Sequence, residues 1–239
     1  MNDTLFFGHQ IISWCDCLNQ QAIEDYLKTI YLLEQIESPV STSRIAEARQ
    51  VRASSVTNMV KRLYGRDLVH YRKHYGVRLT EEGQVIALKM LRHHRLLELY
   101  LTQELGFGWE EVHEEADALE HVISEKLEER IATLLDHPQF DPHGKPIPAR
   151  DGTMIEVDCQ PLTQLAQSDS GIVSRIDDDT NSELLCYLEQ LGLMPGTVIQ
   201  VTKVAPFDGP ITALVNNEQI VVGQKAASNV YIKKQQEIR

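Results

Sequence analysis

The chain has 239 residues, 42% hydrophobic and 24% charged, with a formal net charge of −12 at pH 7; that is the composition of a globular protein of one or two domains. No run approaches the roughly 18 consecutive apolar residues of a membrane span, and no basic residue precedes the mildly apolar Leu5–Ile12 stretch as a secretory signal requires, so no membrane partner is expected. Four scattered cysteines (Cys15, Cys17, Cys159, Cys186) make no disulfide framework and point to a reducing, cytoplasmic setting.

Residues 1–21 lack sustained periodicity and read as an N-terminal extension; its Cys15-Asp16-Cys17 pair of thiols is taken as incidental. From Ala22 to Ile36 the apolar residues Ile23, Leu27, Ile30 and Leu33 recur every three or four positions, which predicts an amphipathic helix ended by Pro39. Thr42 or Ser43 is expected to cap a short helix carrying Ile45 and Ala46. After a turn at Gln50–Arg52, a third helix runs from Ala53 to Tyr64 with Val56, Val60 and Leu63 inward, and Gly65 is expected to end it in the left-handed conformation. Leu68–Leu79 alternates Val69, Tyr71 and Val77 around a basic turn, Arg72–Gly76, and reads as a hairpin.

Two long helices follow, Glu81–Leu105 and Trp109–Leu135, separated by the Gly106–Gly108 break; the second carries Val112, Ala116, Leu119, Ile123 and Leu127 as one stripe. His137–Gly152 is rich in proline and glycine and reads as a loop. Beyond it, short strand patterns with one helix at Glu183–Leu191 predict a small β-barrel of roughly 75 residues. The fold class is therefore mainly α with a small β domain. Its parts are a winged helix-turn-helix over 22–80, a helical metal-binding and dimerisation domain over 81–150, and an SH3-like barrel over 160–239.

Charge is unevenly distributed. Residues 40–79 hold nine Lys/Arg against two acids, a balance of +7, whereas residues 98–136 hold twelve acids against two bases, a balance of −10. Solvated faces of opposite sign would produce the same numbers. Within three short helices and a basic hairpin, however, the positive block predicts a DNA-reading element. Its exposed face would offer Arg52, Ser54, Ser55, Thr57, Asn58 and Lys61, with Arg72 and Lys73 at the wing tip. Arg and Asn can read base edges, while Ser, Thr and Lys more often hold phosphates.

The negative block contains HEEADALEH, His113 to His121. On a helix, His113, Asp117, Glu120 and His121 fall within an arc of about 100° beside the apolar stripe. His94 and Glu98 share a face one helix earlier. Imidazoles and carboxylates crowded next to a core are costly unless a cation neutralises them; a wet, Glu-rich surface is the plain alternative. His113-Glu114-Glu115-Ala116-Asp117 also approximates the HExxH zinc-hydrolase signature, with Asp for the second His and no third ligand following. An enzyme is not expected.

Taken together, IEDYLKTIYLL (Ile23–Leu33), the stretch Arg44–Leu63, LTEEG (Leu79–Gly83), HRLLE (His94–Glu98), His113–His121 and DPHGKPIP (Asp141–Pro148) resemble the diphtheria toxin repressor family, in particular its manganese transport regulator branch. The resemblance implies a cytoplasmic, homodimeric repressor that binds double-stranded operator DNA and governs metal-ion homeostasis. Mn²⁺ is the implied cofactor and Fe²⁺ the alternative, an iron-dependent repressor of the same family being the second reading. It implies a primary metal site of Asp25, His94, Asp117, Glu120 and His121. A secondary site would use Glu98 with His113 or with Asp141 and His143, and Asp177 or Asp178 would join from the barrel. Asp25 and Asp117 stand where the iron-responsive branch has Met and Cys, Asp141 stands where Cys is typical, and Lys28 stands where the manganese branch often has a carboxylate. With no sulfur ligand left, the donors suit Mn²⁺ or Fe²⁺.

Overall fold

The computed structural model describes residues 14–234 and divides into two compact units, up to Met90 and from Leu91. The first unit begins with helix α1, Trp14–Glu34. The helix therefore reaches back into the stretch expected to be an irregular extension, where apolar periodicity is too weak to announce it; residues 1–13 and the side chains of Cys15 and Cys17 lie outside what is described. Helices α2 (Thr42–Ala48) and α3 (Ala53–Tyr64) follow. The cap of α2 is Ser41, one position before the expected Thr42 or Ser43, and its hydroxyl accepts from the Arg44 N–H.

Gly65 is right-handed rather than left-handed (φ −67°). The reversal falls instead on Asp67 (φ 58°), once the Leu68 N–H has closed on the Leu63 carbonyl. Strands β1 (Val69–Arg72) and β2 (Gly76–Leu79) then pair antiparallel, with Tyr71 opposite Val77. Ile23, Leu27 and Ile30 from α1 pack with Ile45, Val56, Val60, Leu63, Val69 and Val77 in one core. The inward faces expected from periodicity are thus the buried ones. The glycine of LTEEG is required sterically: a Cβ on Gly83 would collide with the Leu68 carbonyl.

Helix α4, Glu81–Leu105, continues into the second unit. The long helix expected over Trp109–Leu135 is two helices, α5 (Val112–Leu119) and α6 (Glu125–Leu134). The break is tied to a residue of α4, distant in the chain. The Glu120 carbonyl, which a continuing helix would pair with the Ser124 N–H, instead lies 3.0 Å from His93 Nδ1, and Ser124 turns its hydroxyl to the Leu127 N–H to cap α6. The single stripe breaks with it: on α6 Glu128 is buried and Leu127 exposed.

The C-terminal part is a six-stranded antiparallel sheet in the order β3-β8-β4-β5-β6-β7: β3 Gln160–Pro161, β4 Ser170–Ile176, β5 Val198–Val204, β6 Ile211–Val215, β7 Glu218–Val222 and β8 Val230–Lys234. Helices α7 (Ser182–Gln190) and α8 (Gln224–Ala227) complete it. Register shifts at Val173/Arg175 and Val201/Lys203 mark irregularities of the kind that bend a sheet. Val173, Ile176, Leu185, Leu188, Ile199 and Val201 form its core, together with Trp109 from the α4–α5 connection.

Candidate metal centre and nucleic-acid interface

In the first unit the polar residues of α3 lie outside. Arg52 precedes the helix as its N-cap residue, and Arg52, Ser54, Ser55, Asn58 and Lys61 are exposed. Thr57 is half-buried and its hydroxyl donates to the Ala53 carbonyl, which leaves it least available to a ligand. At the wing, Lys73 and Arg72 are exposed, the Arg72 guanidinium lying 3.9 Å over the Tyr75 ring. Asp25, on α1, is held at 2.9 Å by Arg49.

The second unit does the opposite and encloses its charges: His94, Glu98, Glu120, Asp141 and His143 are all buried. Helical spacing brings His94 to Glu98 on α4, and α5 presents His113 and Asp117 four residues apart, with Glu120 as its C-cap residue. Asp141 and His143 come from the DPHGKPIP loop. Gly144 there has φ +81°, and a Cβ would strike the Ser174 carbonyl, so only glycine lets the loop reach the sheet.

His94 stands between two acidic groups. Its Nδ1 is 2.7 Å from Glu120 Oε2 and 3.1 Å from Asp117 Oδ1, while its Nε2 is 3.0 Å from Glu98 Oε1 and 3.1 Å from His113 Nδ1. His121 Nε2 lies 3.4 Å from Glu120 Oε1. Donor atoms of Glu98, Asp141 and His143 fall within 4.8 Å of one another, as do those of Glu98, His113 and Asp179. Glu98 is therefore common to both groups.

The hydrogen bonds around His143 leave one of its ring nitrogens unpartnered. Its Nε2–H donates to the Trp109 carbonyl at 2.8 Å, and the two rings stack with centroids 5.5 Å apart. That tautomer, assigned from the network, turns the Nδ1 lone pair towards Glu98 Oε2 at 3.8 Å. Asp141 Oδ1 accepts from the His143 and Lys145 backbones at 2.9 Å each. Glu98 Oε2, Asp141 Oδ2 and, in the neutral ring, His143 Nδ1 are buried without a hydrogen-bond partner, the Arg95 guanidinium lying 3.5 Å from Asp141 Oδ2 as an ion pair. Buried polar atoms are rarely left so. One cation would satisfy all three.

The titration of these groups reports the same crowding. Burial opposes the charged form of His94, but Glu98, Asp117 and Glu120 beside it outweigh burial and hold the imidazole well above its usual value. Burial would raise Glu98; His94, His113 and His143 overcome this and hold it well below the usual carboxylate range. Asp141 is pushed up to about 6, first by burial and then by the Glu98 charge, against the pull of Arg95, His143 and Lys145. Protons compensate where a divalent ion could.

Asp177, expected as a barrel-side ligand, does not approach this centre; it is exposed and sits 3.5 Å from Arg175. Asp178 is turned to Thr180. The residue that reaches Glu98 and His113 is Asp179, 2.7 Å from Lys145. Three consecutive aspartates carry no periodicity to choose among them, and the sequence reading, which offered Asp177 or Asp178, stopped short of Asp179. It also missed Arg95, whose Nε is 3.5 Å from Asp141 Oδ2, and the buried Glu128, 2.6 Å from Arg92. Glu114, the general base of the hydrolase reading, is exposed on the outer side of α5.

Residues 20–77 match the family described as iron dependent repressor, N-terminal DNA binding domain, residues 80–149 its metal binding and dimerisation domain, and residues 160–234 the FeoA domain. The chain is 36% identical over 168 residues to the diphtheria toxin repressor of Corynebacterium glutamicum, covering 70% of each chain. It is 29% identical over 226 residues to the iron-dependent repressor IdeR of Mycobacterium tuberculosis, covering 88% of this chain and 96% of the relative. Among solved structures, a manganese-dependent transcriptional repressor in complex with manganese superposes with a TM-score of 0.82 at 35% identity, over 89% of this chain and all (100%) of the other.

Proposed function

We infer the action of this chain from its family: it belongs to the diphtheria toxin repressor and IdeR family of iron- and manganese-dependent repressors, which are DNA-binding regulators and not enzymes. Members bind divalent metal ions. The finer reading is that this chain is a manganese-responsive repressor of metal-homeostasis genes. It acts as a homodimer on double-stranded operator DNA in the cytoplasm, where the DNA is.

The observation that carries the metal reading is the trio of buried atoms on Glu98, Asp141 and His143 without a hydrogen-bond partner. Every candidate ligand is an oxygen or an imidazole nitrogen, a set that suits Mn²⁺ or Fe²⁺ and gives softer ions no thiolate to prefer. A bound divalent ion supplies positive charge to carboxylates that burial otherwise disfavours. Asp117, Glu120 and His121 would hold one ion, with Asp25 as a ligand carried by the resemblance alone. His94, whose Nδ1 faces Asp117 and Glu120, belongs with that ion by the resemblance, while its Nε2 faces the second group of Glu98, His113, Asp141, His143 and Asp179. Exposed Val122, Leu127 and Leu134 in the dimerisation domain support pairing with a second copy. Metal can drive DNA binding only through a difference in affinity between conformations.

The test is DNA binding measured with Mn²⁺, Fe²⁺, Co²⁺, Zn²⁺ and chelator for the wild type, Asp117→Ala and His121→Ala. Activation by Mn²⁺ that both variants lose is the expected result. Variants that bind DNA like the wild type at saturating Mn²⁺ would remove the site assignment; equal activation by all four ions would reduce the reading to a generic divalent-metal repressor.

A further inference from the structure

Arg49 occupies an odd position. It is the C-cap residue of α2, in the turn before α3 and three residues ahead of Arg52. Its Nη2 reaches back to α1 and donates to Asp25 Oδ2 at 2.9 Å, with the guanidinium 5.2 Å from the centre of the Tyr26 ring. The grip on Asp25 is one-armed, since Arg49 Nε is buried with no hydrogen-bond partner. A guanidinium meeting a carboxylate at its best uses both arms of the fork. A half-exposed, single-armed ion pair is weak and readily exchanged; the two side chains are 28% and 26% exposed.

Asp25 is thus contested. The proposed function makes it a metal ligand, while in this structure its carboxylate is engaged by a cation that belongs to the helix-turn-helix. We propose that Arg49 is a built-in competitor for Asp25, and that when Asp25 is drawn away the guanidinium becomes a DNA phosphate contact. The turn of a helix-turn-helix runs beside the backbone that its first helix crosses, and the surrounding block carries the +7 balance that phosphate binding calls for. One residue would then make DNA affinity and ligand capture oppose each other in one state and cooperate in the other. The inference rests on Asp25 being a ligand.

Two measurements on Arg49→Gln test it. In Mn²⁺ titrations without DNA, the variant is expected to bind the ion about threefold to fivefold more tightly, the range an exposed or half-exposed ion pair commands. With random-sequence duplex DNA at saturating Mn²⁺, its salt dependence is expected to be shallower by about 0.9 in slope, one phosphate contact fewer. Arg49→Lys should restore the salt slope while holding Asp25 less well; it also serves if the glutamine variant does not fold. Unchanged or weaker Mn²⁺ binding in Arg49→Gln, or an unchanged salt slope, overturns the proposal. Asp25→Asn separates the two readings. If it binds Mn²⁺ like the wild type, Asp25 is no ligand and both fall. If it loses affinity while Arg49→Gln gains none, only the exchange falls.

Discussion

The outer face of α3 and the interior formed by α4, α5 and the 141–148 loop carry charge under opposite conditions. On α3, Arg52, Asn58 and Lys61 are in solvent, where a charge costs little and a partner is optional. Inside the second unit, Glu98 and His143 are fully enclosed, and three polar atoms there find no hydrogen-bond partner. A surface that awaits DNA can fold without it. An enclosed cluster of like charges folds only by taking up protons or a cation. On the proposed function, the two regions would divide the work of a metal-dependent repressor: one would be ready in the absence of its ligand and the other completed by it.

Breaking that contrast at its strongest point means altering Glu98, which both buried groups share. Glu98→Ala is expected to lower Mn²⁺ affinity by on the order of 100-fold, as loss of a ligand or its close support does, and to erase the metal-induced rise in melting temperature. The α3 region should keep its fold, read by unchanged chelator-state binding to random-sequence DNA. A full metal-induced shift in this variant would sink the buried centre.

The next effect is pH dependence without metal. The folded-state values of Asp141, His94 and His143 all lie above their ordinary ones. Each group therefore stabilises the fold most below its unfolded-state value and loses that contribution as pH rises through the folded-state value, about 6 for Asp141. Glu98 and Asp179 are lowered, so their contribution is lost only at acid pH, below the usual carboxylate range. Chelator-treated protein should melt several degrees lower at pH 8 than at pH 5.5. Mn²⁺ should close the gap by stabilising more at pH 8, because ligation displaces protons. A flat profile would mean that the buried charges are already compensated.

The exposed face should respond more weakly and separably. Asn58→Ala is expected to relax base preference at one position by about 1–3 kcal/mol, the worth of a good base-edge contact. Lys61→Ala should weaken binding to all sequences alike and make the salt slope shallower by about 0.9. Salt titrations on matched and mismatched duplexes distinguish the two; if both variants behave identically, base reading and phosphate holding are not divided in this way.

The sequence by itself determined the elements with a strong local pattern, though not the Ser41 cap or the conformation of Gly65. The inward faces of α1 and α3, the hairpin with its turn at Arg72–Gly76 and the bounds of α3 and α4 follow from periodicity and turn residues, and all are present. It also determined the donor chemistry of the site, since residue types do not depend on the fold and no cysteine falls among the candidates. Tertiary structure decided what depends on partners distant in the chain. The break between α5 and α6 is made by His93, 27 residues before the carbonyl it takes. The selection of Asp179 from three adjacent aspartates follows from Lys145 and Glu98, and the burial of Glu128 from Arg92. None of these could be seen along the chain. A hydrogen bond or ion pair between remote residues leaves no periodicity, and a buried charge is legible only once the atoms that enclose it are in place.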